Sequence, residues 1–270
     1  VYALRSFFDC TEDVTKAGLK QGLRGKRIIV QGLGNVGYHA AKILSEEDEA
    51  LITHVMERDG AVVDENGINI ETLRSHISST GGVLGYSGYV ESGLEMLESD
   101  ADIIIPAAME LVITEANAKN IKAPLIIEAA NGPVSAKADT ILRDRGVIII
   151  PDLYANAGGV TVSYFEWIKN LSRIRFGRMQ RRADESRYGA LIEGIEGMTG
   201  QSFPDELASQ AIYGGAEIDL VRSGLEDTMR STYDVISDVW NKEKSAIDLR
   251  TAAMMVAVQR IAQGYQSIGI

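Results

Sequence analysis

Apolar residues recur along this chain in two rhythms, and the rhythm changes once. Between residues 25 and 156, five short apolar runs stand out, mostly β-branched: RIIV at 27–30, LITHVM at 51–56, DIII at 102–105, LII at 125–127 and VIII at 147–150. Continuous rather than alternating apolarity suits strands buried on both faces. The intervening segments 35–46, 70–78, 92–99, 114–120 and 136–145 read as helices. Strand–helix alternation of this kind predicts a Rossmann-like α/β fold, a mainly parallel sheet with helices on both faces. AVVDENGI, 61–68, carries turn chemistry at Asn66-Gly67 and predicts a small hairpin.

After Gly158 the strand signal stops. Helices are expected at 159–171, 183–196, 205–212, 225–238 and 246–265, forming a helical C-terminal tail, with GMTGQSFPD at 197–205 as the main loop. At the other end, Val1, Leu4, Phe7 and Phe8 are in helical register from the first residue. The expected organisation is therefore a helix over 1–24 entering from a missing N-terminal substrate domain, a dinucleotide-binding core over 25–175, and a helical extension of that domain over 176–270.

Composition narrows the function classes. The 270 residues carry a net charge of −11, which argues against nucleic acid as a partner. A single cysteine, Cys10, allows no internal disulfide and fits a reducing compartment, read here as the cytoplasm. Apolar runs such as 252–258 fall far short of the ~20 residues that a membrane helix needs. His39, His54 and His76 lack the spacing of a metal site, and no G-x-S-x-G nucleophile motif is present.

The chemistry sits where strands end. IIVQGLGNVGYHAAKIL, 28–44, places Gly32, Gly34 and Gly37 in a G-x-G-x-x-G pattern between a strand and a helix. The first glycine permits the tight turn, the second lets a pyrophosphate approach the backbone, and the third lets helix and strand pack closely. Alone the pattern is weak in a chain with 27 glycines. Its position and the acid ending the next strand strengthen it. That acid, Glu57, suits the ribose hydroxyls of NAD, while the adjacent Arg58 would suit the 2′-phosphate of NADP; NAD is favoured. Later strands end in Ala107 and Ala108, in Ala129, Ala130 and Asn131, and in Asn156. Small residues leave room for a flat ring, and amides donate to and accept from a carboxamide or a ribose hydroxyl. In PDLYANAGGVTVSYFEW, 151–167, the residues Asn156, Val160, Ser163 and Trp167 share one helical face. Gly158 and Gly159 are read as leaving a helix N-terminus open to a carboxylate, with Ser163 as a hydroxyl donor.

GKRIIVQGLGNVG, IIIPAAMELVIT, IIEAANGP, PDLYANAGGVTVSYFEWIKN and DLRTAAMMVAV together resemble the nucleotide-binding half of the glutamate, leucine, phenylalanine and valine dehydrogenase family. The resemblance implies oxidative deamination of an amino acid, with hydride passing to NAD or NADP. It implies that Gly32, Gly34, Asn35, Val36, Gly37 and Glu57 line the adenosine and pyrophosphate, and that Ala107, Ala108, Asn131 and Asn156 lie along the nicotinamide ribose and ring. Val160 and Ser163 would contact the substrate, with Ser163 reading the far carboxylate of glutamate. Glutamate, 2-oxoglutarate and ammonium are the implied partners and a homo-hexamer the implied assembly. The family's acid–base residues have no counterpart in this chain, which is expected to bind coenzyme without turning over. An enzyme for apolar amino acids and a nucleotide-sensing module remain alternatives. Met109 departs from the family pattern, region 176–224 matches less well, and the arginines of RIRFGRMQRR, 173–182, are read as a solvated face or an interface.

Overall fold

The computed structural model describes residues 1–269 apart from 92, 173–177, 206, 209–210 and 212–216, and the side chains of 169, 172–185 and 217 also lie outside the description. Seven strands form one sheet in the order β4-β3-β2-β1-β5-β6-β7. These are β1 (Arg27–Gln31), β2 (Leu51–Glu57), β3 (Gly60–Val63), β4 (Tyr89–Val90), β5 (Ile103–Pro106), β6 (Leu125–Ile127) and β7 (Ile148–Ile150). The five apolar runs are the five parallel strands β2-β1-β5-β6-β7, and β3 and β4 extend the β2 edge antiparallel.

Continuous apolarity is explained by cover on both faces. On one face Ile29, Ile104, Ile126 and Ile149 join Leu97 and the helical Ala138 and Leu142 in one cluster. The pleat turns their neighbours Ile28, Val30, Ile103 and Leu125, all fully buried, to the other face. There α3 (Asn35–Glu46) packs on β1 and β2 through Ala41 and Leu44. Each fully buried isoleucine contributes roughly 1.5–3 kcal/mol. Local signals set the helix ends. Asn69 caps α4 (Ile70–Thr80) by accepting from Thr72 N–H at 2.9 Å, and Gly81 ends it in the left-handed region. Ser135 caps α5 (Ala136–Asp144) in the same way.

Four expected elements differ. The helix expected over 1–24 is two helices, Tyr2–Asp9 and Thr11–Lys16, broken where Cys10 is extended. The expected helix 92–99 is a 3-10 turn over Leu94–Glu98. The expected helix 114–120 is a run of turns. Asn117 explains it: its side chain accepts from Thr114 N–H and donates to the Val112 carbonyl, both at 2.8 Å, offering the backbone an alternative to helix. The hairpin does not turn at Asn66-Gly67. Its two-residue turn is Arg58-Asp59, with Glu57 paired to Gly60. Glycine is needed at 60, where a Cβ would sit 2.6 Å from both the Tyr89 ring and the Val90 carbonyl. The expected helix 205–212 lies in part outside the described residues, as does the arginine-rich segment 173–182.

The chain divides into two compact units, Val1–Ala157 with Met229–Ile270, and Gly158–Thr228. The first holds the sheet together with α1 (Tyr2–Asp9), α2 (Thr11–Lys16), α6 (Asp152–Ala155), the C-terminal part of α9 (Glu217–Lys242) and α10 (Leu249–Ser267). Within it the fully buried Asp13 ties α2 to α9, accepting from the Tyr233 and Ser237 hydroxyls at 2.7 and 2.6 Å and from the Asn241 amide at 3.1 Å. The second unit holds nearly all of α7 (Ala157–Ser172), α8 (Arg178–Thr199) and the start of α9. Glycines bring its helices together: a Cβ at Gly224 would lie 3.5 Å from the Phe165 ring, and one at Gly158 3.5 Å from Leu225.

Candidate functional site

Chain direction decides where a site can form. From β1 the chain steps to β2 on one side and later to β5 on the other, so the crevice between the carboxyl ends of β1 and β5 is the switch point of the sheet, where open α/β proteins bind ligands. Both its walls are built from small residues. Gly32 follows β1 with φ +89°, and a Cβ there would overlap that of Ala108, which follows β5. A Cβ at Gly37 would overlap the Gly32 carbonyl oxygen and lie 3.4 Å from the Ala107 methyl. Gly34 is different in kind. Its φ is an ordinary −67° and nothing lies within 4 Å of a Cβ built on it, so it faces open space.

Gly34 is also the N-cap of α3. No side chain caps this end and no acid stands in its first turn. An uncapped helix start opening on free space presents its N–H groups to an anion. Val36 is half exposed there, and Asn35 is exposed.

The remaining strand ends continue the row. Glu57 ends β2, and its Oε1 accepts from Leu33 N–H within the glycine loop at 2.6 Å. The Pro106 carbonyl at the end of β5 accepts from Ala129 and Ala130 N–H at 3.1 and 2.8 Å, holding the β6 loop beside β5. Asn156 Nδ2 donates to Asn131 Oδ1 at 2.6 Å, joining the ends of β6 and β7. Glu57, Gly32, Ala107, Ala108, Asn131 and Asn156 thus follow one another along five adjacent strand ends.

Beneath the two asparagines lies an ionic cluster that sequence reasoning missed. Glu128, fully buried, accepts from Arg250 at 2.8 Å and from Asp152 N–H at 2.8 Å. Asp152 in turn accepts from Gly132 N–H at 2.9 Å. Arg250 also reaches Asp139 at 2.9 Å and Asp152 at 3.4 Å. Burial pushes the Glu128 carboxyl above its ordinary value, against the pull of Arg250. The available signal was the acid directly after LII and the arginine in DLRTAA.

Ahead of α7, the short α6 starts at Asp152, where the N–H groups of Asp152 and Leu153 are taken by the carboxylates of Glu128 and Asp152. The two glycines lie in the first turn of α7. Val160 and Ser163 belong to the second compact unit. Both are exposed on α7, and the Ser163 hydroxyl donates to the Gly159 carbonyl at 3.1 Å. His54 is buried in β2 against Thr53, and burial holds it below its ordinary pKa. Among the described residues no group of His, Cys, Asp or Glu could hold a metal ion, and no helix is long and apolar enough to cross a membrane.

A mainly parallel sheet that reverses its order beside a glycine loop and an uncapped helix defines a Rossmann-like α/β protein. Residues 5–188 match the family model for Glutamate/Leucine/Phenylalanine/Valine dehydrogenase, and the chain belongs to that family. A probable glutamate dehydrogenase of Sinorhizobium fredii is 49% identical over 245 residues, covering 90% of this chain and 55% of that protein. The mitochondrial glutamate dehydrogenase of Dictyostelium discoideum is 43% identical over 270 residues, covering 99% and 53%. Among solved structures, the leucine-bound hetero-hexameric glutamate dehydrogenase of Thermus thermophilus overlays with a TM-score of 0.72 at 22% identity, covering all of this chain and 53% of that one. The chain spans about half the length of the relatives it matches.

Proposed function

We propose that this chain is the coenzyme-binding part of an NAD-dependent glutamate dehydrogenase. The observation that carries the reading is the row of glycines, alanines and amides along five adjacent strand ends, beside the uncapped start of α3. A pyridine dinucleotide fits the residues present. Gly32, Gly34 and Gly37 with the N–H groups of Asn35 and Val36 would hold the pyrophosphate. Glu57 would exchange its bond to Leu33 for the ribose hydroxyls. Ala107, Ala108, Asn131 and Asn156 would hold the nicotinamide ribose and ring. When bound, the coenzyme supplies the hydride acceptor. This chain's residues orient it, and the amides fix which ring face meets the substrate.

Relatives named as glutamate dehydrogenases at 43–49% identity support glutamate as substrate. A relative named NADP-specific, from Saccharolobus shibatae, is 36% identical over 250 residues, so family membership leaves the coenzyme open and Glu57 favours NAD. Val160 and Ser163 are assigned to the substrate. No residue here is assigned as acid or base, and we expect the chain alone to bind NAD(H) without oxidising glutamate. The full-length enzyme would be a hexamer, and the lone free Cys10 suits a reducing compartment such as the cytoplasm. The test is calorimetric titration of the 270-residue chain with NADH. Saturable one-to-one binding supports the reading, and absence of heat with both NADH and NADPH sinks it.

A further inference from the structure

Next to Glu57 lies a pocket of about 400 Å³ formed by the 57–59 turn, residues 80–82 and Leu84. Beside it two backbone N–H groups, those of Val83 and Leu84, converge on one point. The chain fills that point itself: Asp59 Oδ2 accepts from Val83 N–H at 2.8 Å and from Leu84 N–H at 3.0 Å. The fit is close, because a Cβ at Gly82 would overlap the Asp59 carboxylate. The Asp59 carbonyl accepts from the Tyr89 hydroxyl at 2.9 Å, so the turn carrying the acid is held from two sides. Burial pushes the Asp59 carboxyl up, but the N–H groups of Leu84 and Val83 and the charge of Arg58 bring it below its ordinary value, so it is ionised at neutral pH.

Two converging backbone N–H groups make an anion site whoever supplies the anion. In a coenzyme bound as proposed above, the ribose end lies at Glu57, two residues before Asp59. A 2′-phosphate there would need positive partners, and the partners at hand are these two N–H groups and Arg58.

We propose that Asp59 is a coenzyme-specificity residue: by occupying the Val83–Leu84 amide pair with a fixed carboxylate, it denies this pocket to a 2′-phosphate and reserves it for dinucleotides with a free 2′-hydroxyl. Glu57 reads the hydroxyl, and Asp59 removes the anchorage a phosphate would use. The inference rests on the coenzyme reading above, and its test separates the two.

The unaltered chain, Asp59→Asn and Asp59→Ser are titrated with NADH and with NADPH. We expect the unaltered chain to bind NADH at least about tenfold more tightly. Asp59→Ser empties the amide pair and should narrow that ratio by about tenfold, almost wholly through tighter NADPH binding. Asp59→Asn keeps an acceptor for the 81–84 loop while removing the charge, so it should move the ratio the same way by less. NADPH binding the unaltered chain as tightly as NADH overturns the proposal, whatever the variants do. So does a ratio unchanged in a serine variant that still binds NADH normally. Failure of both coenzymes to bind any form overturns the coenzyme reading instead.

Discussion

Arg250 Nη2 lies 2.8 Å from Glu128 Oε1, linking the first turn of α10 to a carboxylate with no solvent exposure at the end of β6. The pair begins a relay: Glu128 holds Asp152 N–H, Asp152 holds Gly132 N–H, and the neighbouring Asn131 accepts from Asn156. The two amides assigned to the nicotinamide end therefore stand on an ionic cluster whose arginine lies 98 and 122 residues in sequence from its acids Asp152 and Glu128.

Removing one partner of a buried pair leaves an uncompensated charge. Arg250→Met should cost about 3 kcal/mol, read as a loss of urea midpoint, and should weaken NADH binding. Adding Glu128→Gln keeps an acceptor for Asp152 N–H and should restore at least about half of that loss. The single-variant deficit should also shrink as pH falls. Burial already raises the Glu128 carboxyl above its unfolded value, and without Arg250 it rises further, so acid lets the folded state take up a proton that relieves the charge. A double variant no more stable than Arg250→Met, or a deficit that grows in acid, would show that the pair does not carry the effect.

The glycines of the loop separate folding from binding. A Cβ at Gly37 overlaps backbone, so Gly37→Ala should lower stability and coenzyme affinity together. Gly34 has an ordinary φ and open space before it, so Gly34→Val should leave thermal unfolding nearly unchanged yet weaken NADH by more than about tenfold. If Gly34→Val binds NADH normally, the open space at α3 is not where the pyrophosphate sits.

How much of this was legible depends on the range over which each feature is determined. The five parallel strands and α3 came directly from apolar continuity and the glycine pattern, because both faces of the sheet are covered and most strand residues are therefore apolar. The turns at 114–120 were misread because helical spacing ignores a side chain such as Asn117 that bonds its own backbone. The hairpin was misplaced because the glycine it requires stands at 60, where Tyr89 and Val90 come close, and that constraint lies 29 or 30 residues away. Arg250 with Glu128, and Asp59 with Val83 and Leu84, look like ordinary solvated charges in a linear text. Only the fold brings their partners to them.

Asp248 gives a pH test of the same helix. It caps α10 by accepting from Thr251 N–H at 2.7 Å and pairs with Arg143 at 3.0 Å. Burial pushes its carboxyl up, but the Thr251 N–H and hydroxyl and the Arg143 charge outweigh that and hold it below its ordinary 3.8. A carboxyl with a depressed folded pKa contributes stability that is present above the unfolded value and lost as pH falls through the folded one. Asp248→Ala should therefore cost about 1 kcal/mol at neutral pH. The gap should begin to close below about pH 4. Urea midpoints of both proteins at pH 7 and pH 3 measure it, and a gap equally wide in acid would rule the account out.

The substrate assignment is tested at Ser163, in an enzyme that contains this chain and oxidises glutamate. Ser163 is exposed on α7 with its hydroxyl bonded locally, to the Gly159 carbonyl, so its replacement has little structural reason to disturb the fold. If that hydroxyl reads the far carboxylate of glutamate, Ser163→Val removes a donor to a charged group, worth about 1.5–3 kcal/mol, or roughly 10- to 150-fold in kcat/KM for glutamate. An apolar amino acid has no group for that hydroxyl, so the same variant should gain on leucine or valine while losing on glutamate. Steady-state rates on the three substrates decide the point. Unaltered glutamate kinetics in Ser163→Val would move the substrate reading to the apolar amino acids and leave the coenzyme site as it stands.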